Sequence, residues 1–198
     1  MTKGRLEAFT NAVIAIIMTI MVLELKVPHG ISLQALLPLI PVFLSYVLSF
    51  VYLGIYWNNH HHLWQAVRHV NGVVLWANLH LLFWLSLIPF ATGWMGENHF
   101  AALPVALYGF VLLMAAVAYF VMTIVLVRLH GKDSVVARAL ASVFKERIST
   151  VAYVMAIPIA FFNTWISCGL YLMVALIWLV PDPRFEKAVM VKEQGTEQ

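Results

Sequence analysis

Charge is what this sequence has least of. Only 11% of its 198 residues are Asp, Glu, Lys or Arg, against about a quarter in soluble domains, so a water-facing surface of ordinary polarity is excluded. There is a single cysteine, Cys168, which rules out a disulfide within the chain, and its apolar surroundings read as the setting of a small buried thiol. Walker loop, HExxH pair and nucleophile elbow are all missing, and with them the commonest routes to phosphoryl transfer, zinc proteolysis and acyl transfer. The first apolar run is longer than a signal-peptide core and has no small-residue cleavage site after it, so its expected fate is to remain in the protein.

What is abundant is hydrocarbon. Hydrophobic residues make up 63% of the chain and the mean hydropathy is +0.88, which places it in the bilayer. Apolar segments fall at roughly 6–25, 33–57, 71–95, 100–129, 149–163 and 165–180, the first four each of a length suited to an apolar core about 30 Å thick. The predicted fold is therefore all-α and integral to the membrane, with six transmembrane helices per subunit in one domain over 1–183 and a tail over 184–198. Only Asn163-Thr164 separates the last two segments. The roughly 32 residues from 149 to 180 are too many for one span and few for two, so the final pair is expected to be short.

The cations give an orientation. Lys3 and Arg5, then Arg68, then Arg128, Lys132, Arg138, Lys145 and Arg147, then Arg184, Lys187 and Lys192 all fall at one end of the alternating spans, and only Lys26 falls at the other. Retention of cations on the cytoplasmic side predicts a multi-pass protein of the cell membrane with both termini cytoplasmic. That partition accounts for the net charge of +3 without a nucleic-acid partner. Residues 130–147, with apolar side chains among basic ones, read as an amphipathic helix on the membrane surface.

Three constellations carry possible chemistry. On a helix of 3.6 residues per turn, Phe9, Ala12, Ile16, Thr19, Ile20 and Leu23 share one stripe of the first span, a packing face unless something passes along it. The stretch 56–64, YWNNHHHLW, brackets three histidines with aromatic anchors. Adjacent histidines point in different directions around a helix and have no i, i+4 partner to share a metal with, so His60 and His61 read as hydrogen-bonding groups facing the start of the first helix. His80 lies in the middle of the third span, where an ionisable group needs a partner, a cavity or a cofactor. A neutral imidazole bonded to a neighbouring helix satisfies that need most cheaply.

Arg5, Phe9, Thr10 and Asn11 resemble the R-x-x-x-F-S-D signature that opens helix 1 in the transmembrane-protein-175 family of potassium channels, and the Trp57 to His61 stretch and the closing WLVPDPR agree with it. The resemblance runs over the whole chain as one six-helix repeat. It implies a homotetramer in membrane lipid, with the first helix of each subunit lining a central pore and no re-entrant selectivity-filter loop. Leu107-Tyr108-Gly109-Phe110 is no substitute for a TVGYG filter. On that resemblance Ile16, Ile20 and Leu23 form apolar constriction rings that act as a hydrophobic gate, and Thr19 supplies a hydroxyl layer where a permeating potassium ion exchanges part of its water. No enzyme activity and no cofactor are implied, and no metal beyond the permeant ion at Thr19. Arg5, Phe9, Thr10 and Asn11 would form a signature network with Trp57, His60 and His61, in which Thr10 keeps the family's hydroxyl and Asn11 replaces its carboxylate.

Two other classes stay open on the residues alone. A small secondary transporter would need a midplane site built from broken helices or charges, and the later spans hold no acidic residue at depth. A membrane b-type cytochrome would need His80 and a second axial histidine.

Overall fold

The computed structural model describes residues 2–131, 134, 136–137 and 144–179. These form α1 (Lys3–Leu23), a 3₁₀ segment (Leu33–Leu39), α2 (Ile40–Ala66), α3 (Gly72–Ser86), α4 (Ile88–Glu97), α5 (Ala102–His130), α6 (Phe144–Ile159) and α7 (Thr164–Leu179). They correspond to the six expected segments, since the 3₁₀ segment runs into α2 and α3 runs into α4. Half of the expected surface helix at 130–147 falls outside the described residues, and the tail at 184–198 wholly so.

Punctuation in the sequence sets these boundaries. Pro41 stands in the first turn of α2, where no backbone donor is required. Asn71 caps α3 by accepting a hydrogen bond from the Val74 N–H at 3.0 Å, a standard use of a short amide. Pro89 splits the third span: its ring and missing N–H cannot continue the ladder, so α3 stops at Ser86 and α4 starts at Ile88. Asn163, expected as a simple interruption, is a cap as well, its Oδ1 accepting from the N–H groups of Trp165 and Ile166 at 3.0 and 3.3 Å.

Two boundaries move from expectation. The second span continues beyond residue 57 to Ala66, because its histidines, amides and aromatics are groups that a helix end at the membrane interface can carry. The fifth begins at Phe144, which puts Lys145, Glu146 and Arg147 inside a helix. Four spans, Lys3–Leu23, Leu33–Ala66, Gly72–Glu97 and Ala102–His130, are long and apolar enough to cross a membrane. At 16 residues each, α6 and α7 reach about 24 Å.

α1 packs on α2, α3 and α4, while α5 lies against α3 and α4 on one side and α6 and α7 on the other. Lipid offers apolar side chains the same environment as the bundle interior, so small residues and hydrogen bonds decide the packing. Gly96 of α4 is pressed against α2, where an added Cβ would meet Val42 Cα at 2.7 Å. Gly109 of α5 makes room for the Tyr171 hydroxyl of α7. A seam of buried hydroxyls joins five helices. Ser49 Oγ lies 2.6 Å from Thr92 Oγ1 and 3.0 Å from the Tyr108 hydroxyl. The Tyr52 hydroxyl donates to the Tyr171 carbonyl at 2.6 Å and accepts from Tyr153 at 3.2 Å, and Tyr171 donates to the Val105 carbonyl at 3.1 Å.

Candidate functional site

α1 has two faces of different character. Leu6, Thr10, Ile14, Ile17 and Met21 are buried against the bundle, spaced by four, four, three and four as one side of a helix requires. The opposite side is open: Phe9, Ile16, Ile20 and Leu23 are 45, 57, 42 and 76% exposed, with Ala12 and Thr19 exposed among them. This is the stripe singled out from periodicity. Thr19 donates its hydroxyl proton to the Ala15 carbonyl at 2.7 Å, so the oxygen lone pairs are what it presents outward.

The buried face carries a directional chain of hydrogen bonds. Thr10 donates to the Leu6 carbonyl at 3.0 Å and accepts from Asn78 Nδ2 at 2.8 Å. Asn78 Oδ1 lies 3.0 Å from His60 Nε2. A carbonyl oxygen only accepts, so His60 carries its proton on Nε2, and its Nδ1 is buried with no partner among the described residues. The His60 ring stacks on Trp64 at 4.4 Å between centroids. Thr10, Asn78 and His60 are all buried, and they tie α1, α3 and α2 together.

The rest of the signature set is more dispersed. His61 turns to the outside, with Nδ1 3.3 Å from a Glu7 carboxylate oxygen and its ring stacked on exposed Trp57. The expected bonds from Arg5 and Asn11 to Trp57, His60 or His61 are not among those of the described residues. Arg5 is exposed, and Asn11 Oδ1 is buried without a partner among the described residues. The link from helix 1 to the histidines runs through Thr10 instead, because residues one apart on a helix point about 100° apart and only Thr10 faces Asn78. Phe9 belongs to the open face.

His80 bonds within its own helix, accepting from Trp84 Nε1 at 3.0 Å, where a neighbouring helix was expected. The missed residues are Asn78 and Glu7. A buried amide in an apolar span was the available signal. At the opposite end of α1, Lys26 pairs with Glu97 at 2.5 Å, and the hydrogen bond and the negative charge of Glu97 raise the Lys26 pKa. No three His, Cys, Asp or Glu side chains gather for a metal among the described residues. Cys168 is half-buried.

Among the described residues, an all-helical multi-pass bundle with one helix anchored on one face and bare on the other defines an integral membrane protein. Residues 5–89 match the family model described as endosomal/lysosomal potassium channel TMEM175. The chain is 58% identical over 189 residues to a potassium channel of Chryseobacterium sp. strain P1-3, covering 96% of this chain and 98% of that one. It is 30% identical over 203 residues to a potassium channel of Streptomyces collinus, covering 94% and 97%. The crystal structure of a lysosomal potassium-selective channel TMEM175 homolog from Chamaesiphon minutus superposes with a TM-score of 0.78 at 27% identity, over 90% of this chain and 96% of that one. The chain belongs to the TMEM175 family.

Proposed function

We propose that this protein is the subunit of a potassium-permeable channel that prefers potassium to sodium, four copies surrounding a path lined by α1. The carrying observation is the division of α1: Ile16, Thr19, Ile20 and Leu23 stand open on one side while the other side is bonded into the bundle. Similarity over nearly full length to named potassium channels supports the same reading. A ring of isoleucine or leucine side chains narrower than a hydrated ion expels water, and an ion inside it loses hydration that no methyl group replaces. Closure of this kind needs no charged plug. Where the rings widen, Thr19 offers oxygen rather than hydrogen to a passing cation. Potassium gives up water more readily than sodium, so a preference for potassium follows without a carbonyl filter.

In the proposed orientation both termini are cytoplasmic, 1–183 is the channel domain and 184–198 a cytoplasmic tail. The protein works in the cell membrane with no cofactor other than the permeant ion. The deciding experiment is ion flux from purified protein in liposomes under potassium and then sodium gradients, with cysteines at 16, 20 and 23 probed by small thiol reagents. Potassium-favoured flux blocked by modification at these positions is expected. Flux that leaves all three unreactive while another helix reacts would assign the path elsewhere.

A further inference from the structure

The other side of the molecule holds a cavity of about 500 Å³ between α2, α5, α6 and the end of α7, within the usual range for ligand pockets of about 300–1,000 Å³. Its walls are almost entirely apolar. Val117 and Phe120 of α5 and Val151 of α6 line it and are themselves exposed, so its margin is continuous with the hydrocarbon-facing surface. Three polar groups that line it have side chains bonded to nothing else among the described residues: the Tyr56 hydroxyl, the half-buried Glu146 carboxylate and the exposed Arg147 guanidinium. Lys145 lies over the Trp178 ring, 5.9 Å from its centroid, and adds positive charge near the same end. Glu146 and Arg147 stand at the start of α6, at the basic end of the bundle.

A pocket with a greasy interior and one charge of each sign at its polar edge complements an amphiphile whose head is zwitterionic. We propose that it is a binding site for a phospholipid carrying a primary ammonium, of the phosphatidylethanolamine class, with one acyl chain in the cavity. The guanidinium fork meets the phosphate in a bidentate geometry that suits it. The Glu146 carboxylate accepts from the ammonium, which a trimethylated head cannot offer and a glycerol head lacks altogether. Adjacent residues on a helix diverge by about 100°, so the two charges stand apart at the rim rather than on one another. This inference is independent of the channel reading, since the cavity is formed away from the open face of α1.

The test is lipid retention and thermal unfolding of the purified full-length chain in micelles supplemented with phosphatidylethanolamine, phosphatidylcholine or phosphatidylglycerol. Phosphatidylethanolamine should co-purify and raise the melting temperature most. Glu146→Gln should lower its retention about tenfold, the loss of one charge-assisted hydrogen bond, and abolish its advantage over phosphatidylcholine. Arg147→Gln should weaken all three lipids. Val117→Trp, which fills the cavity from an exposed position, should abolish retention while leaving unfolding without added lipid unchanged. Should Val117→Trp fail to fold, the two charge variants decide. Equal stabilisation by phosphatidylglycerol, or a phosphatidylethanolamine preference that survives Glu146→Gln, overturns the proposal.

Discussion

Thr10 and Thr19 lie on the same helix and spend their protons the same way, each on the carbonyl four residues back. They differ in what their oxygens face. Thr10 is fully buried and receives a hydrogen bond from Asn78, which makes it part of a joint between helices. Thr19 is exposed, with no side chain of the chain reaching its lone pairs among the hydrogen bonds of the described residues. The residue type alone therefore assigns neither role. A hydroxyl on a membrane helix is glue on the packed face; on the open one, in the channel proposed above, it is a ligand for the passing ion.

The sharpest way to break this contrast is to remove the joint. Asn78→Leu strips Thr10 of its donor and leaves the buried His60 Nε2–H without an acceptor, so a loss of about 1–3 kcal/mol is expected, read as a lower melting temperature in detergent. Thr10→Ser should be close to native, because the oxygen is kept. Next in size, Ile16→Asn should leave stability nearly intact and raise the resting ion leak in liposomes several-fold, since a polar ring wets where isoleucine does not. Thr19→Val should change stability by no more than about 0.5 kcal/mol, as exposed substitutions do, while shifting the potassium-to-sodium permeability ratio measured under paired gradients. If Thr19→Val destabilised as much as Asn78→Leu, the two hydroxyls would be doing the same job. Smallest of all is Lys26→Met. The raised Lys26 pKa means that its pair with Glu97 contributes fully below the ordinary value of 10.5 and is lost as pH climbs through the higher folded value. Melting of native protein and Lys26→Met should therefore differ only slightly at neutral pH and converge in strong alkali.

Hydropathy made the six segments legible, because a span through hydrocarbon demands a sustained apolar run. The 3.6-residue period likewise separated Phe9, Ile16, Thr19, Ile20 and Leu23 from the buried side of α1, since both stripes lie within a single helix. What stayed hidden depends on two helices at once. Whether Asn78 turns to His80, two residues away in sequence, or to Thr10 across the bundle is set by rotation about the axis of α3, which a uniformly apolar helix does not advertise. The partner of His60 was hidden for the same reason. The hydroxyl seam was also out of reach, because serine and tyrosine scattered through apolar runs carry no mark of which will meet. The break before Pro89 was written in the sequence, but the apolar run across it masked it.

The Tyr52 hydroxyl has a consequence for how the protein is made. It sits in the second span, yet the carbonyl it donates to belongs to Tyr171 and the hydroxyl that donates to it belongs to Tyr153, both in helices made about a hundred residues later. Until those arrive, the nascent chain holds a polar group in hydrocarbon that its own first four spans do not satisfy, a state that costs free energy in lipid. The docking of α6 and α7 is thus chemically marked inside the membrane. A chain ending after His130 should therefore lack both partners of the Tyr52 hydroxyl and leave that group to the bilayer.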